Sequence, residues 1–185
     1  MRARGPRGGK TSAAYNTGAM QNAQEAKRLP YETPWAEGLL LHCPAGLRLE
    51  PRAVWDEVAP ILFPEDEPAS PLEERAFVLL LERWLEAVYR ESPRASRPRL
   101  FRQDFHPRQD GHLLAYALLT PRGGHVAVLA WKQTAPLPES WRHAEPPPEE
   151  VFALFPEGES LLEGLSPEEV EDLYFESLWG RKPAR

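Results

Sequence analysis

Cysteine, asparagine, methionine and lysine are scarce in this sequence. Cys43 is the only cysteine among 185 residues, so no intramolecular disulfide can form, and a lone thiol fits a reducing compartment. Asparagine occurs only at Asn16 and Asn22, and 4 Lys stand against 18 Arg. A chain poor in thermolabile residues fits a heat-adapted host. No apolar run approaches the roughly 18 residues of a membrane-spanning helix. The charged N-terminus has no apolar stretch behind it, so no secretory signal is read there. These absences together point to a cytoplasmic protein with no membrane association.

What is present is charge, and it is segregated. The formal net charge is −6. Residues 1–29 hold +5, through Arg2, Arg4, Arg7, Lys10, Lys27 and Arg28 against Glu25. Residues 90–108 hold +4, which leaves −15 for the remainder. Between Glu145 and Glu176 there are eleven acids and no Lys or Arg. Guanidinium forks match phosphate oxygens. Arg94, Arg97, Arg99 and Arg102, with Arg2, Arg4, Arg7 and Lys10 of the arm, are therefore the candidate nucleic-acid contacts. The competing reading docks the arginine segment on the chain's own acids.

The organisation follows from composition and periodicity. Residues 1–29 have almost no large apolar side chains and read as a disordered basic arm. Residues 30–180 read as one domain, and 181–185 as a frayed tail. Gly38 to Cys43 is a short apolar run closed by Pro44, the pattern of a strand. Pro51 suits the first turn of a helix, and Pro60 is expected to kink or end that helix. Ser70-Pro71-Leu72-Glu73 and Ser166-Pro167-Glu168-Glu169 are capping boxes. The first predicts a helix to about Arg90 with only a narrow polar stripe, and the second a helix to about Trp179.

Arg99 to His106 alternates as a strand. Gly111 to Thr120 and His125 to Thr134 flank Pro121-Arg122-Gly123-Gly124 as a hairpin, apolar on both faces and so central or doubly covered. The expected fold is α+β: a small antiparallel sheet, built on hairpin 111–134 and strand 99–106, packed with helices.

Chemistry-bearing patterns are thin. Gly8-Gly9-Lys10-Thr11 lacks the glycine of a phosphate loop where Arg4 stands, and lacks the strand before it. His42 and Cys43 are strand neighbours on opposite faces, so they form no dyad. Asp104, His106 and His112 are ligand types for a transition metal and could converge around residues 107–111. The order Glu74 and Glu82, then Asp104, then Lys132 resembles the core of the PD-(D/E)xK nucleases. That resemblance implies a metal-dependent nuclease or phosphodiesterase, but Ala130 stands where the family has its acid two positions before the lysine. Phe175 and Trp179, at i and i+4 on the acidic last helix, form a candidate partner-binding edge. No motif calls for a cofactor.

The function expected is a non-enzymatic binding or accessory protein of a larger assembly. It would hold a protein partner, with nucleic acid a further candidate through the arm and residues 90–108. The alternatives are the nuclease-like enzyme and a structural subunit whose arm threads into a neighbour. The sequence leaves the oligomeric state open.

Overall fold

The computed structural model describes residues 26–44, 48–91, 97–121, 123–141, 146–155 and 162–179. Five strands form one antiparallel sheet: β1 (Lys27–Thr33), β2 (Ala36–Pro44), β3 (Arg99–Phe105), β4 (Gly111–Thr120) and β5 (Gly123–Gln133). Their order across the sheet is β1-β2-β5-β4-β3. The helices are α1 (Pro51–Leu62), α2 (Pro71–Glu91), α3 (Pro148–Phe152) and α4 (Pro167–Trp179).

The double apolar faces of β4 and β5 dictate three layers. Successive side chains of a strand point to opposite faces. Leu113, Ala115, Ala117 and Leu119 of β4, with Val126, Val128 and Ala130 of β5, pack against Val54, Trp55 and Val58 of α1 and Phe77, Leu81 and Val88 of α2. The alternate residues Leu114, Tyr116, Leu118, Ala127, Leu129 and Trp131 pack against Trp141, Val151, Phe152, Leu173 and Tyr174 on the other side. An antiparallel sheet buried on both faces needs two such covers. No helix among the described residues is long and apolar enough to cross a membrane.

Local signals place the helices. In both capping boxes the reciprocal bonds form. Glu73 N donates to Ser70 Oγ at 3.1 Å, and Ser70 N donates to Glu73 Oε1 at 2.9 Å. Ser166 and Glu169 repeat this at 3.2 and 3.0 Å. Pro60 neither ends α1 nor stops its packing: the helix runs on to Leu62, which is buried. Pro60 lies in the last turn, where its missing N–H removes a single ladder bond, and Phe63 N still reaches Ala59 O at 3.0 Å.

The sheet is larger than the sequence suggested, because β1 has no recognisable strand pattern. Lys27, Arg28 and Leu29, placed in the arm by composition, pair with His42, Leu41 and Leu40. The described chain thus enters the sheet at Lys27 rather than at residue 30. Arg28 is tied to Glu57 of α1. β1 is an edge strand, and Pro30 within it pairs with Leu39. A proline is tolerated there and blunts edge-to-edge pairing.

The β4–β5 turn also differs from expectation. Thr120 pairs with Gly123, so β5 begins two residues before His125. Gly123 takes a φ of +138°, open to glycine and strained for other residues.

Candidate functional site

The arginine segment leads into β3, the edge strand next to α4. Arg94 lies outside the described residues, as do Arg2, Arg4, Arg7 and Lys10. Arg97 and Arg99 both approach the Glu176 carboxylate of α4, at 3.8 and 3.9 Å. Arg97 keeps 67% of its side chain exposed, and such open pairs contribute about 0–1 kcal/mol. Arg99 also lies over the Phe101 ring, 4.9 Å from its centroid.

Arg102 is different: only 15% exposed, it sits across from Tyr116 and 3.7 Å from Asp104. Arg108 turns to the opposite layer. It donates to Glu73 at 2.9 Å and to the Pro68 carbonyl at 3.2 Å, also contacts the Glu67 carbonyl, and stacks over Phe63. The Arg108 guanidinium, with the Ser70 amide, holds the Glu73 carboxyl below its usual range. Arg97, Arg99, Arg102 and Arg108 therefore face acids of the chain itself.

The histidines form two clusters that sequence spacing did not reveal. His106, His112 and Trp131 stack in a column, each neighbouring pair 4.2 Å apart with planes within 15°. The column continues edge-on through Trp141 to Trp35. Trp141 Nε1 donates to both carboxylate oxygens of Glu150, at 3.1 and 3.0 Å. His106 Nδ1 lies 3.2 Å from the Gly111 carbonyl. A carbonyl only accepts, so Nδ1 carries the proton and Nε2 the lone pair of the neutral ring.

His112 Nε2, Trp131 Nε1 and Trp35 Nε1 are buried without a hydrogen-bond partner among the described residues. In the second cluster, His42 Nε2 and His125 Nδ1 meet at 3.0 Å across β2 and β5, with the rings stacked. One ring must donate and the other accept, so this bond is incompatible with two fully protonated rings. Cys43, on the opposite face, is buried, which pushes its thiol up to about 12.

The His112 column carries a pH signature. Burial lowers the His112 pKa from 6.5 to about 4, helped by His106 and opposed by Asp110. Below pH 6.5 the unfolded chain binds this proton while the fold resists it down to about 4. Stability is therefore lost as pH falls through that window, by less than about 1.4 kcal/mol per pH unit because the ring is only half-buried. Chemical unfolding at pH 7 and pH 4.5 should show a smaller acid loss for His112→Phe than for the wild type. Parallel curves would assign the loss to other groups.

The proposed metal ligands do not assemble. His106 and His112 meet ring to ring, whereas Asp104 is 3.7 Å from Arg102. No group of three or more His, Cys, Asp or Glu able to hold a metal occurs among the described residues. The nuclease-like set is divided by the sheet. Glu74, ion-paired to Arg52, lies on α2, and Lys132 shares the α1 face of β5, while Asp104 follows the parity of the opposite face. Beside Lys132 is an open hollow of about 310 Å³ lined by Glu32, Glu37, Gly38, Pro60 and Ile61. Its charges are of both signs, and it brings no acid to Asp104.

Two helices present apolar residues outward. On α4, Leu173 and Tyr174 are buried, and the Tyr174 hydroxyl donates to the Pro146 carbonyl at 3.0 Å. Phe175 remains 38% exposed, beside the Glu168, Glu171 and Asp172 carboxylates of the same helix. Trp179 closes α4, but its side chain lies outside the described residues. On α2 the outer side is not the narrow polar stripe expected. Leu72 is 71% and Leu79 45% exposed, with Ala76 exposed between them. The sheet core already fills its covering face with Phe77, Leu81, Trp84, Leu85 and Val88, which leaves Leu72 and Leu79 uncovered among the described residues.

Comparison with known protein families, curated proteins and solved structures finds nothing that matches this chain.

Proposed function

We propose that this chain is a non-enzymatic binding protein of a larger intracellular assembly, holding a protein partner through the outward face of α4. The observation that carries this reading is Phe175, a large exposed ring on a helix whose neighbouring outward residues are carboxylates. An aromatic anchor inside a charged rim is the anatomy of a protein-binding hot spot. The fitting partner offers an apolar pocket with a basic rim, into which an amphipathic helix face lies.

Nucleic acid is the second reading, and it rests on the arm. Arg102 and Arg108 are engaged by acids within the fold, so this reading draws on the +3 of residues 1–25, Arg2, Arg4, Arg7 and Lys10 against Glu25. Phosphate contact of that kind weakens steeply with salt.

The test is co-purification of tagged full-length protein from its host, with and without nuclease, followed by mass spectrometry. A protein retained by the wild type after nuclease is expected to drop about tenfold or more with Phe175→Asp, the loss of a hot spot. It should be unaffected by deleting residues 1–25. Retention of nucleic acid alone, lost with the arm, would overturn protein docking and establish the second reading.

A further inference from the structure

We infer that two copies of this chain associate through the outer face of α2, antiparallel, about a two-fold axis near Val78 and Leu79. The exposed residues at i, i+4, i+7 and i+11 from Leu72 are Leu72, Ala76, Leu79 and Arg83, a continuous seam opposite the buried face. Spacing of four and three residues keeps such positions on one side of a helix. Leu72 and Leu79 are the two most exposed large apolar side chains among the described residues.

The flanking charges select a second copy as the occupant. Arg75 and Glu82 lie on the same flank of the seam, seven residues apart and both exposed. Neither has an opposite charge three or four positions away along α2, where Pro71, Leu72, Val78, Leu79, Leu85 and Glu86 stand. Neither makes an ion pair within 4 Å among the described residues, whereas Glu73 and Glu74 of the same helix are held by Arg108 and Arg52.

Rotation about a two-fold midway between residues 75 and 82 sets Arg75 of each copy against Glu82 of the other. A flank that carries its own complement in this way is what an isologous contact requires. The same rotation brings the two Leu79 side chains together. The small Ala76 gives them room, and the aliphatic stem of Arg83 from one copy can cover Leu72 of the other.

The association is independent of what α4 binds, because α2 and α4 cover opposite faces of the sheet. A dimer formed this way carries two outward α4 faces, so a multivalent partner would be held by avidity. One helix pair buries less than the ~1,200 Å² of a tight complex, and the expected dimer is weak and concentration-dependent.

Sedimentation equilibrium of the full chain from ~1 µM to ~1 mM, where weak contacts titrate, should show a monomer–dimer equilibrium. Leu79→Asp is expected to leave monomer throughout. Glu82→Arg sets two guanidinium groups against each other on both sides of the axis and should raise the dissociation constant about tenfold or more. The double variant Arg75→Glu/Glu82→Arg restores the opposite charges in swapped order. It should return to within about threefold of the wild type. All these positions are exposed, and circular dichroism of each variant checks that it is folded. Monomer at every concentration, a dimer indifferent to Leu79→Asp, or a double variant no tighter than Glu82→Arg would each overturn the proposal.

Discussion

Replacing Gly38 by alanine should destabilise the fold by more than about 3 kcal/mol. A Cβ at Gly38 would overlap the Ala130 carbonyl oxygen and stand 2.7 Å from Trp131 Cα and 2.9 Å from the Ala130 carbonyl carbon. All three obstacles are backbone of the adjacent strand, so no rotamer change relieves them. Relief requires β2 to move away from β5, and β2 is the strand that joins β1 to the sheet among the described residues. The substitution should therefore lower the urea midpoint and speed hydrogen exchange at the β1, β2 and β5 amides before those of β3.

Gly123→Ala is the control. Gly123 has nothing within 4 Å of an added Cβ and only its φ of +138° to strain, so a loss of about 1–2 kcal/mol is expected. Equal losses at the two glycines would show that β2 and β5 are less tightly apposed than the structure has them.

Trp131→Ala should cost about 3–5 kcal/mol, and Trp131→Phe far less. Trp131 is fully buried, with His112 stacked on one face and Trp141 edge-on at 5.4 Å. Alanine removes both contacts and leaves a cavity in the middle of the sheet. Phenylalanine keeps a ring in the column. It also removes an indole N–H that has no acceptor among the described residues, and a buried unpaired donor costs about 1–3 kcal/mol. The gain offsets much of the lost volume. Thermal unfolding of the two variants decides the matter: equal losses would mean that the column contributes little as a stack and that Nε1 is satisfied.

The legible parts of this fold are those whose signal is local. Ser70 with Glu73, and Ser166 with Glu169, lie three residues apart, so the bonds that start α2 and α4 are written in nearby side chains. The faces of β4 and β5 follow from alternation along each strand, and two apolar faces demand two covers. The helix runs two residues past Pro60 because the rule against helix-interior proline weakens in a last turn. β1 escapes a reading by pattern because an edge strand with one half-covered face needs few apolar residues. Lys27, Arg28 and Pro30 look like arm until Leu40 and Leu41 supply the pairing.

The candidate surfaces divide along the same line. Charge segregation, the basic arm and the acidic C-terminal third are properties of the sequence itself, as is the Phe175 edge of an amphipathic helix. Which acid faces which arginine is not. Glu176 reaches Arg97 and Arg99 from another layer, and Arg108 crosses to Glu73, 35 residues earlier in the chain. The His106–His112–Trp131 column and the His42–His125 contact exist because strands distant in sequence are neighbours in register. The bare leucines of α2 arise because the sheet can cover only one side of that helix. Hydrogen-bond caps and side-chain alternation act over a few residues and are fixed by the chain alone. Ion pairing, ring stacking and exposure depend on the distance between segments, and only the packed sheet sets that distance.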